Sequence, residues 1–202
     1  MKLYYLKGAC SLASYISLLE AGRKFEAVEV ERGTKRTADG QDYNTINPKG
    51  YVPALLLDDG TLLTENVNVL SYISTLDPNG RLAPQVGTLG FFKVVEWLAF
   101  INGEIHKQLS VLFRATSSDD MKRSARENAL RRYGFVEESL DNKPFLTGEN
   151  FTVADAYLYV TLSWLGRLEI DISGYPRLTA YYERCRARPS VQQARKAEGL
   201  AP

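Results

Sequence analysis

The sequence predicts an α/β domain over residues 1–80 followed by an all-α domain over residues 88–202. In the first part, short apolar runs alternate with helical patterns, which is typical of a small mixed sheet covered by helices. In the second part, apolar residues recur at intervals of three and four, which indicates helices throughout. The Pro- and Gly-containing segment 78–90 separates the two patterns, so we expect the boundary within it.

The first domain is expected to contain strands at 3–6, 25–30, 54–58 and 61–63 and helices at 11–21 and 67–76. Between the last two strands, Asp59-Gly60 predicts a tight primed turn in which both residues adopt positive φ. The stretch 31–47 is polar and contains Gly, so we expect a loop with at most one short helix there.

The second domain is predicted to begin with one long helix over 91–114, because its apolar residues step by three and four. These residues are Val94, Leu98, Ile101, Ile105, Leu109 and Leu112. Further helices are expected at 118–140, from Thr152, from Pro176 and after Pro189. Thr152 and Asp155 have the spacing of a capping box, with Asp in place of the more common Glu.

Composition narrows the function classes. The 202 residues carry a formal net charge of +1, so the charge balance does not call for nucleic acid or an acidic membrane surface as a partner. No apolar run approaches the ~18 residues of a membrane span, and the first residues lack the features of a signal peptide. Two distant cysteines and one histidine predict neither a disulfide framework nor a metal site. A free thiol used in chemistry is expected in a reducing cytoplasm.

Cys10 is the first candidate for chemistry. It lies between a predicted strand and a predicted helix, where unpaired N–H groups and the helix dipole favour the thiolate. Ala13 stands where a dithiol reductase would carry a second cysteine, so a mixed disulfide with an external thiol is expected. The alternative for Cys10 is a buried, inert thiol. For Cys185, packing in a helix is the favoured interpretation.

Two further features suit an extended peptide ligand. Pro53 begins a strand and is a candidate cis proline, which would leave the Val52 main chain free to pair with a peptide. The alternative is a proline that simply starts an edge strand. Thr64-Glu65-Asn66 precedes a helix, whose N-terminus favours a ligand carboxylate while Glu65 suits an ammonium group. The alternative there is an ordinary acidic first turn.

His106 is the single histidine of the chain, and it shares a predicted helix face with Ala99 and Gly103. Two small residues on that face would let a ligand approach closely, and Lys107 adds positive charge beside it. A lone histidine is more often a hydrogen-bonded structural residue, and that interpretation stays open.

Together these stretches resemble a bacterial glutathione S-transferase, most closely of the beta class, over essentially the whole chain. The resemblance rests on LYY and GACSLA within 3–13, NPKGYVPAL and DGTLLTE within 47–65, EWL at 96–98, EIHK at 104–107 and FTVADAYL at 151–158. It implies a thioredoxin-like N-terminal domain and an all-α C-terminal domain, the glutathione transferase fold. It also implies a homodimer that uses glutathione and a hydrophobic electrophile, without a metal, nucleic acid or membrane partner.

The resemblance further implies roles at individual positions. The implied catalytic residues are Cys10, His106, Ser11 and Tyr5. The implied glutathione-binding residues are Cys10, Lys35, Val52, Glu65, Asn66, Gly103, Glu104, His106 and Lys107. Cys10 matches the cysteine that forms a mixed disulfide with glutathione, and Val52 matches the residue that pairs with the cysteinyl backbone of glutathione. Lys35 matches a lysine near the glycyl carboxylate, while Glu65 and Asn66 match the pair that binds the γ-glutamyl group.

The chain departs from this pattern on the predicted His106 face. Relatives usually carry Asn at the position of Ala99 and often a hydroxyl residue at that of Gly103. Two hydrogen bonds are therefore expected to be missing, each worth about 0.5–1.5 kcal/mol net. Asn102 is expected to point about 100° around the helix and to compensate only partly. Tyr15 also stands where some relatives have His.

The expected activity is conjugation of glutathione to electrophilic small molecules, with Cys10-dependent thiol–disulfide exchange as a side activity. Phe113, Trp164 and Tyr157 are candidates for the electrophile pocket, and each also suits the core. One alternative is a mainly redox, glutaredoxin-like enzyme. Another is a non-enzymatic module that binds glutathione or a hydrophobic ligand, which the residues Ala99 and Gly103 mildly favour.

Overall fold

In the computed structural model, which describes residues 1–201, a mixed four-stranded sheet with helices forms the N-terminal part and helices form the rest. The strands are β1 (Lys2–Tyr5), β2 (Glu26–Glu29), β3 (Ala54–Leu56) and β4 (Leu62–Thr64). The helices beside them are α1 (Ser11–Glu20), α2 (Tyr43–Ile46) and α3 (Asn66–Thr75). The predicted fold class is confirmed, and the short helix expected within 31–47 is α2.

The sheet topology positions the loop that carries Cys10. The strand order is β2-β1-β3-β4, with β1 parallel to β2 and β3 antiparallel to both β1 and β4. Tyr4 near the end of β1 lies opposite Ala54 at the start of β3. Because the two strands run in opposite directions, the chain leaving β1 toward Cys10 lies beside the chain entering β3 from Val52.

The β3–β4 hairpin differs from the predicted primed turn. Gly60 has φ of +87°, whereas Asp59 is not among the residues with positive φ. The Gly60 N–H donates to the Leu57 carbonyl at 3.1 Å, and the Leu57 N–H donates to the Thr61 carbonyl at 2.9 Å. The connection is therefore a three-residue loop that ends in a left-handed glycine, so only the glycine needs the unusual φ.

The C-terminal part contains α4 (Leu89–Phe100), α5 (Lys107–Phe113), α6 (Asp119–Ser139), α7 (Val153–Ser163), α8 (Pro176–Arg186) and α9 (Pro189–Ala197). The prediction of one continuous α-helix over 91–114 was wrong in the middle. The residues Ile101–His106 form a π-helical segment between α4 and α5. Such segments insert an extra residue per turn, so side chains around this one lie at other angles than α-helical spacing predicts.

One hydrophobic core runs through both parts of the chain. Leu3 of β1 and Leu55 of β3 belong to the same buried cluster as Tyr157 of α7 and Leu178 of α8. Helix α1 packs against both α7 and α9. Residues 76–88 contain neither helix nor strand and connect the two parts, and the predicted domain limits 1–80 and 88–202 stay a prediction.

The predicted capping box at the start of α7 is confirmed. The Thr152 N–H donates to the Asp155 carboxylate at 2.8 Å, and so does the Thr152 hydroxyl. The other carboxylate oxygen accepts from the Leu146 N–H and the Tyr181 hydroxyl, both at 2.9 Å. Asp155 is fully buried, and burial raises the pKa of its carboxyl group. This carboxylate therefore connects α7 to α8 and to the preceding loop.

Candidate functional site

Cys10 lies where the β1–α1 and α2–β3 connections meet. It is the residue before α1, is half-buried, and its Sγ donates to the Val52 carbonyl at 3.3 Å. The Val52–Pro53 peptide bond is cis, as predicted. The β3 ladder begins at Ala54, so the Val52 main chain lies outside the sheet and beside the thiol.

Burial reverses the low pKa that the sequence predicted for Cys10. Backbone N–H groups at Cys10 and Ser11 lower the pKa, as the helix start predicts, but burial raises it more strongly, to about 12. The charges of Glu198 and Glu65 add to the increase. At neutral pH the Cys10 thiol is therefore protonated and acts as a hydrogen-bond donor to Val52.

The turn before Cys10 is held by the C-terminal part of the chain. Gly8 has φ of +66°, and its carbonyl accepts from the Trp164 indole N–H at 3.0 Å. Its N–H donates to the Glu198 carboxylate at 2.7 Å. Burial is the main cause that raises the pKa of Glu198 to about 7, and the nearby charge of Glu29 contributes to this increase. These two contacts fix the peptide from which the Cys10 loop starts.

The start of α3 presents an unsatisfied buried donor. Asn66 is buried, and its Oδ1 lies 3.2 Å from the Ser14 hydroxyl that donates to it. Within residues 1–201 its Nδ2 has no hydrogen-bond partner, although the atom is buried. Burying an amide N–H without an acceptor is costly, so this position suits a ligand oxygen.

Glu65 precedes Asn66 with φ of +67°, a conformation that is rare for a residue with a side chain. Its carboxylate forms an ion pair with Lys49 at 2.9 Å, and Lys49 also donates to the Thr64 hydroxyl at 3.0 Å. Both side chains of this pair are largely exposed, so the pair contributes little to stability. The carboxylate is thus held at the mouth of the site and remains accessible to a cationic group.

Lys35 lies in the loop before α2, with φ of +56°. Its ammonium donates to the Gly50 carbonyl at 2.8 Å. Gly50 is two residues before Val52, so this contact brings a positive charge to the loop that carries the cis proline.

His106 contacts the aromatic side chains of α7 and its end. Its Nδ1 lies 2.7 Å from the Tyr157 hydroxyl, and its ring lies 5.0 Å from the Trp164 ring. Burial lowers the pKa of His106 to about 4, so the ring is neutral at pH 7. Burial raises the pKa of Tyr157 well above its ordinary value, so its hydroxyl keeps its proton.

α-Helical spacing predicted that Asn102 points away from the face that carries His106. The structure differs from this prediction. It lies in the π-helical segment, and its Oδ1 accepts from the Tyr157 hydroxyl at 3.0 Å. The residues Ala99 and Gly103 are exposed, and no atom lies within 4 Å of the position that a Gly103 Cβ would take. The space left by these two small side chains is therefore open.

Other predicted site residues have partners elsewhere. The Ser11 hydroxyl accepts from the Leu6 N–H at 3.1 Å and donates to the Leu6 carbonyl at 3.4 Å. Tyr5 packs edge-on against Tyr15, and burial and the charge of Glu29 raise its pKa to about 12. These contacts give Ser11 and Tyr5 structural roles in the β1–α1 connection, and their predicted catalytic roles stay predictions.

Glu104 and Lys107, both predicted to bind glutathione, lie on the helix beside His106. The Glu104 carboxylate forms an ion pair with Arg132 of α6 at 2.6 Å. Lys107 is exposed at the start of α5. Their predicted roles stay predictions, and the Arg132 contact directs Glu104 toward α6.

The aromatic residues predicted to line an electrophile pocket separate into two groups. Tyr157 is fully buried and bonds to His106, so it belongs to the core. Phe113 is partly exposed, lies edge-on to Trp164 at 5.8 Å and is covered by the Arg167 guanidinium at 5.4 Å. Phe113 and Arg167 therefore lie at the surface next to Trp164, which is itself buried.

The sequence alone did not predict the contacts that Lys49, Asn102 and Glu198 make near the site. Lys49 belongs to the stretch NPKGYVPAL, and a cation two residues before Tyr51 could have been matched to Glu65. Asn102 would have required foresight of the π-helical segment. Glu198 gave no local signal, because its contact with Gly8 spans 190 residues.

The described part of the chain contains neither a candidate metal site nor a candidate membrane-spanning helix. Within residues 1–201, no cluster of three or more His, Cys, Asp or Glu side chains could hold a metal ion. None of the helices formed by these residues is both long enough and apolar enough to cross a bilayer.

Two family profiles match most of the chain, "Glutathione S-transferase, N-terminal domain" over residues 9–76 and "Glutathione S-transferase, C-terminal domain" over residues 96–189. The sequence is 42% identical to glutathione S-transferase GstA of Escherichia coli O157:H7, over 99% of this chain and 100% of that protein. The structure is similar to the ternary complex of BphK, a bacterial GST (46% identity, TM-score 0.97, 99% of this chain and 100% of that one). It is also similar to a sphingomonad glutathione S-transferase complexed with glutathione (43% identity, TM-score 0.95, 100% of both chains).

Proposed function

Because this chain belongs to the glutathione S-transferase family and conjugates glutathione to electrophilic small molecules, we propose that the site centred on Cys10 binds that glutathione. The observations that carry the proposal are the buried Asn66 Nδ2, which has no hydrogen-bond partner among residues 1–201, and the Cys10 thiol that donates to the Val52 carbonyl. A ligand carboxylate at the start of α3 would satisfy that amide and the helix N-terminus together.

The ligand's other groups have matching partners. The Glu65 carboxylate suits the α-ammonium group, and the Val52 main chain suits the cysteinyl backbone of glutathione. Lys35 suits the glycyl carboxylate at the opposite end. This arrangement would bring the glutathione sulfur close to Cys10 and His106.

In conjugation, we propose that glutathione is the nucleophile and that Cys10 holds it. A protonated Cys10 thiol can donate a hydrogen bond to the glutathione thiolate, which then attacks the electrophilic carbon and expels its leaving group. The lining by Phe113, Trp164 and Arg167 supports an aromatic electrophile with a polar substituent, since a guanidinium can pair with that substituent while the rings pack on the apolar part.

The thiol–disulfide exchange is proposed as a side activity. The Cys10 thiolate would attack one sulfur of glutathione disulfide, forming the protein–glutathione disulfide and releasing one glutathione thiolate. Because the pKa of Cys10 is raised to about 12, this step is expected to be slow at neutral pH.

The test compares wild type with Cys10→Ala and, as a matched control, Cys185→Ala. Turnover of a chloro-nitroaromatic at millimolar glutathione is expected in wild type and in the control, and Cys10→Ala should lower it. Intact mass under non-reducing conditions, after exposure to glutathione disulfide, should show one adduct that Cys10→Ala abolishes. Absence of glutathione binding by calorimetry would contradict the proposed site.

A mainly redox enzyme and a non-enzymatic binding module remain as alternatives to this assignment. The open space beside Ala99 and Gly103 is the observation that favours the module, since two hydrogen bonds to glutathione would be missing there. Turnover only with a glutathione mixed disulfide would support the redox alternative. Tight glutathione binding without turnover of either substrate would support the module.

We also propose that the protein is a cytoplasmic homodimer. The side chains of Trp97, Phe100 and Phe135 form an aromatic cluster with ring distances of 5.3–5.9 Å, in a groove of about 760 Å³ between α4 and α6. Phe135 is 51% exposed in the single chain, and a second copy would cover it. Sedimentation should show a dimer that Phe135→Glu weakens. Met121→Glu, at an exposed position on the same helix, should leave the dimer unchanged.

Cell fractionation tests the proposed cytoplasmic location.

A further inference from the structure

The carboxamide of Asn102 determines where the proton of the neighbouring hydroxyl lies. Tyr157 has one hydroxyl proton, and it donates to Asn102 Oδ1, an acceptor without a proton of its own, at 3.0 Å. The Tyr157 oxygen must then accept at its second contact, the 2.7 Å approach of His106 Nδ1. A short contact between these atoms needs one proton between them, so Nδ1 carries it.

The protonation of His106 completes the argument. Burial keeps the ring neutral at pH 7, so it holds a single N–H. With that proton on Nδ1, Nε2 is the unprotonated nitrogen of the ring. The hydrogen bonds that join Asn102, Tyr157 and His106 therefore select one of the two neutral tautomers of the His106 ring.

We propose that Asn102 is a positioning residue, which acts through Tyr157 to hold His106 in the Nδ1–H tautomer so that Nε2 is available as a hydrogen-bond acceptor. This role rests on the proposed function, in which the glutathione thiol lies close to His106. The unprotonated Nε2 would accept a hydrogen bond from that thiol and orient its sulfur, while the ring itself stays neutral. An Nε2–H tautomer would offer the thiol no acceptor.

The π-helical segment is what makes this contact available. Asn102 lies in Ile101–His106, where the i→i+5 hydrogen bonding rotates side chains away from their α-helical directions. Asn102 is exposed at its outer end, while its Oδ1 reaches the buried hydroxyl of α7. The small Ala99 one turn earlier leaves room on the same side of the helix.

The single histidine allows a direct spectroscopic test. In wild-type protein labelled with ¹⁵N-histidine, we expect one protonated nitrogen, assigned to Nδ1 by its couplings, and one unprotonated nitrogen, Nε2. Asn102→Ala should shift the population toward the Nε2–H tautomer. Asn102→Asp, which keeps an acceptor oxygen, should restore the Nδ1–H form, and Asn128→Ala, at a half-buried asparagine of α6 that accepts from Arg131, serves as the control.

Kinetics give the second readout. Asn102→Ala should lower kcat for conjugation by about five- to tenfold, the net worth of one hydrogen bond, with little change in the KM for glutathione. Asn102→Asp should recover most of that loss. An Nε2–H tautomer in wild type, or an unchanged tautomer in Asn102→Ala, would overturn the inference. Because the spectrum needs no turnover, failure of the proposed function would be seen separately, as absent activity with the tautomer intact.

Discussion

The carboxylate of Glu198 accepts a hydrogen bond from the Gly8 N–H at 2.7 Å, connecting the end of the chain to the turn that leads to Cys10. Glu198 is buried, and burial raises its pKa from 4.5 to about 7. Its other oxygen has no hydrogen-bond partner among residues 1–201. The protonation state of Glu198 is therefore linked to the turn that leads to Cys10.

The first prediction concerns stability against pH in Glu198→Gln. The folded state binds the Glu198 proton more tightly, so this group makes the free energy of unfolding fall as pH rises from 4.5 to 7. His106 acts in the opposite sense, because burial lowers its pKa from 6.5 to about 4 and the unfolded state binds more protons in that window. In wild type the two slopes offset each other, whereas in Glu198→Gln the free energy of unfolding should rise with pH.

Urea unfolding of wild type and variant from pH 4.5 to pH 7 measures this difference, which should reach about 3 kcal/mol across the window. Glu127→Gln, at an exposed position of α6, is the control. Parallel pH profiles for Glu198→Gln and wild type would contradict the prediction.

The second prediction concerns the reactivity of Cys10. Because burial raises its pKa to about 12, alkylation by iodoacetamide should be slow at neutral pH and should increase with pH throughout the alkaline range. Cys185 is fully buried and should not contribute, which Cys10→Ser would verify by abolishing the reaction. A rate that reaches its plateau near neutral pH would show instead that the helix start dominates.

The third prediction separates binding from folding at Glu65. The Lys49–Glu65 ion pair is exposed, so Glu65→Gln should change the free energy of unfolding little. Losing a charged partner for the ammonium of glutathione should raise its KM about tenfold or more, corresponding to about 1.5–3 kcal/mol. Glu96→Gln, which removes a similar exposed pair with Lys93, is the matched control. An unchanged KM would remove Glu65 from the site.

The fourth prediction uses the open space at Gly103. No atom lies within 4 Å of an added Cβ, and φ there is not positive, so both Gly103→Ala and Gly103→Ser should fold. Each should gain about 0.5–1 kcal/mol of stability if helical preference governs this segment. Gly103→Ser should also bind glutathione several-fold more tightly than Gly103→Ala, as calorimetry would measure. Equal affinities would mean that the hydroxyl does not reach the ligand.

The fifth prediction concerns Asp155. Asp155→Ala leaves four donors without their acceptor, two of them on Thr152 and the others on Leu146 and Tyr181. The free energy of unfolding should fall by about 3 kcal/mol or more. Asp171→Ala, an exposed residue that bonds only within its own turn to Ser173, should cost much less. Comparable thermal shifts in the two variants would argue against the bridging role of Asp155.

Features that depend on neighbouring residues could be predicted from the sequence. The capping box at Thr152, the helices opened by Pro176 and Pro189, and the cis bond before Pro53 all follow from local patterns. In each case a few adjacent residues contain the physical cause.

Features that depend on tertiary burial could not be predicted. The sequence correctly predicts that the start of α1 lowers the pKa of Cys10. Burial by surrounding residues raises this pKa by more, so the net change has the opposite sign. The inward position of Asn102 depends on a change of helix type that periodicity does not reveal. The contact between Glu198 and Gly8 depends on how α9 ends against the sheet, which no local pattern encodes.

The shared hydrophobic core has a consequence for how such enzymes diversify. Since α1 packs directly on α7 and α9, the C-terminal half of the chain supports the helix that Cys10 precedes. The two halves are therefore not interchangeable. A chimera that joins halves of different relatives must preserve the packing of α1 on α7 and α9 in order to fold. Substitutions in α7 offer evolution a way to retune thiol chemistry from a distance, without replacing any residue that touches the substrate.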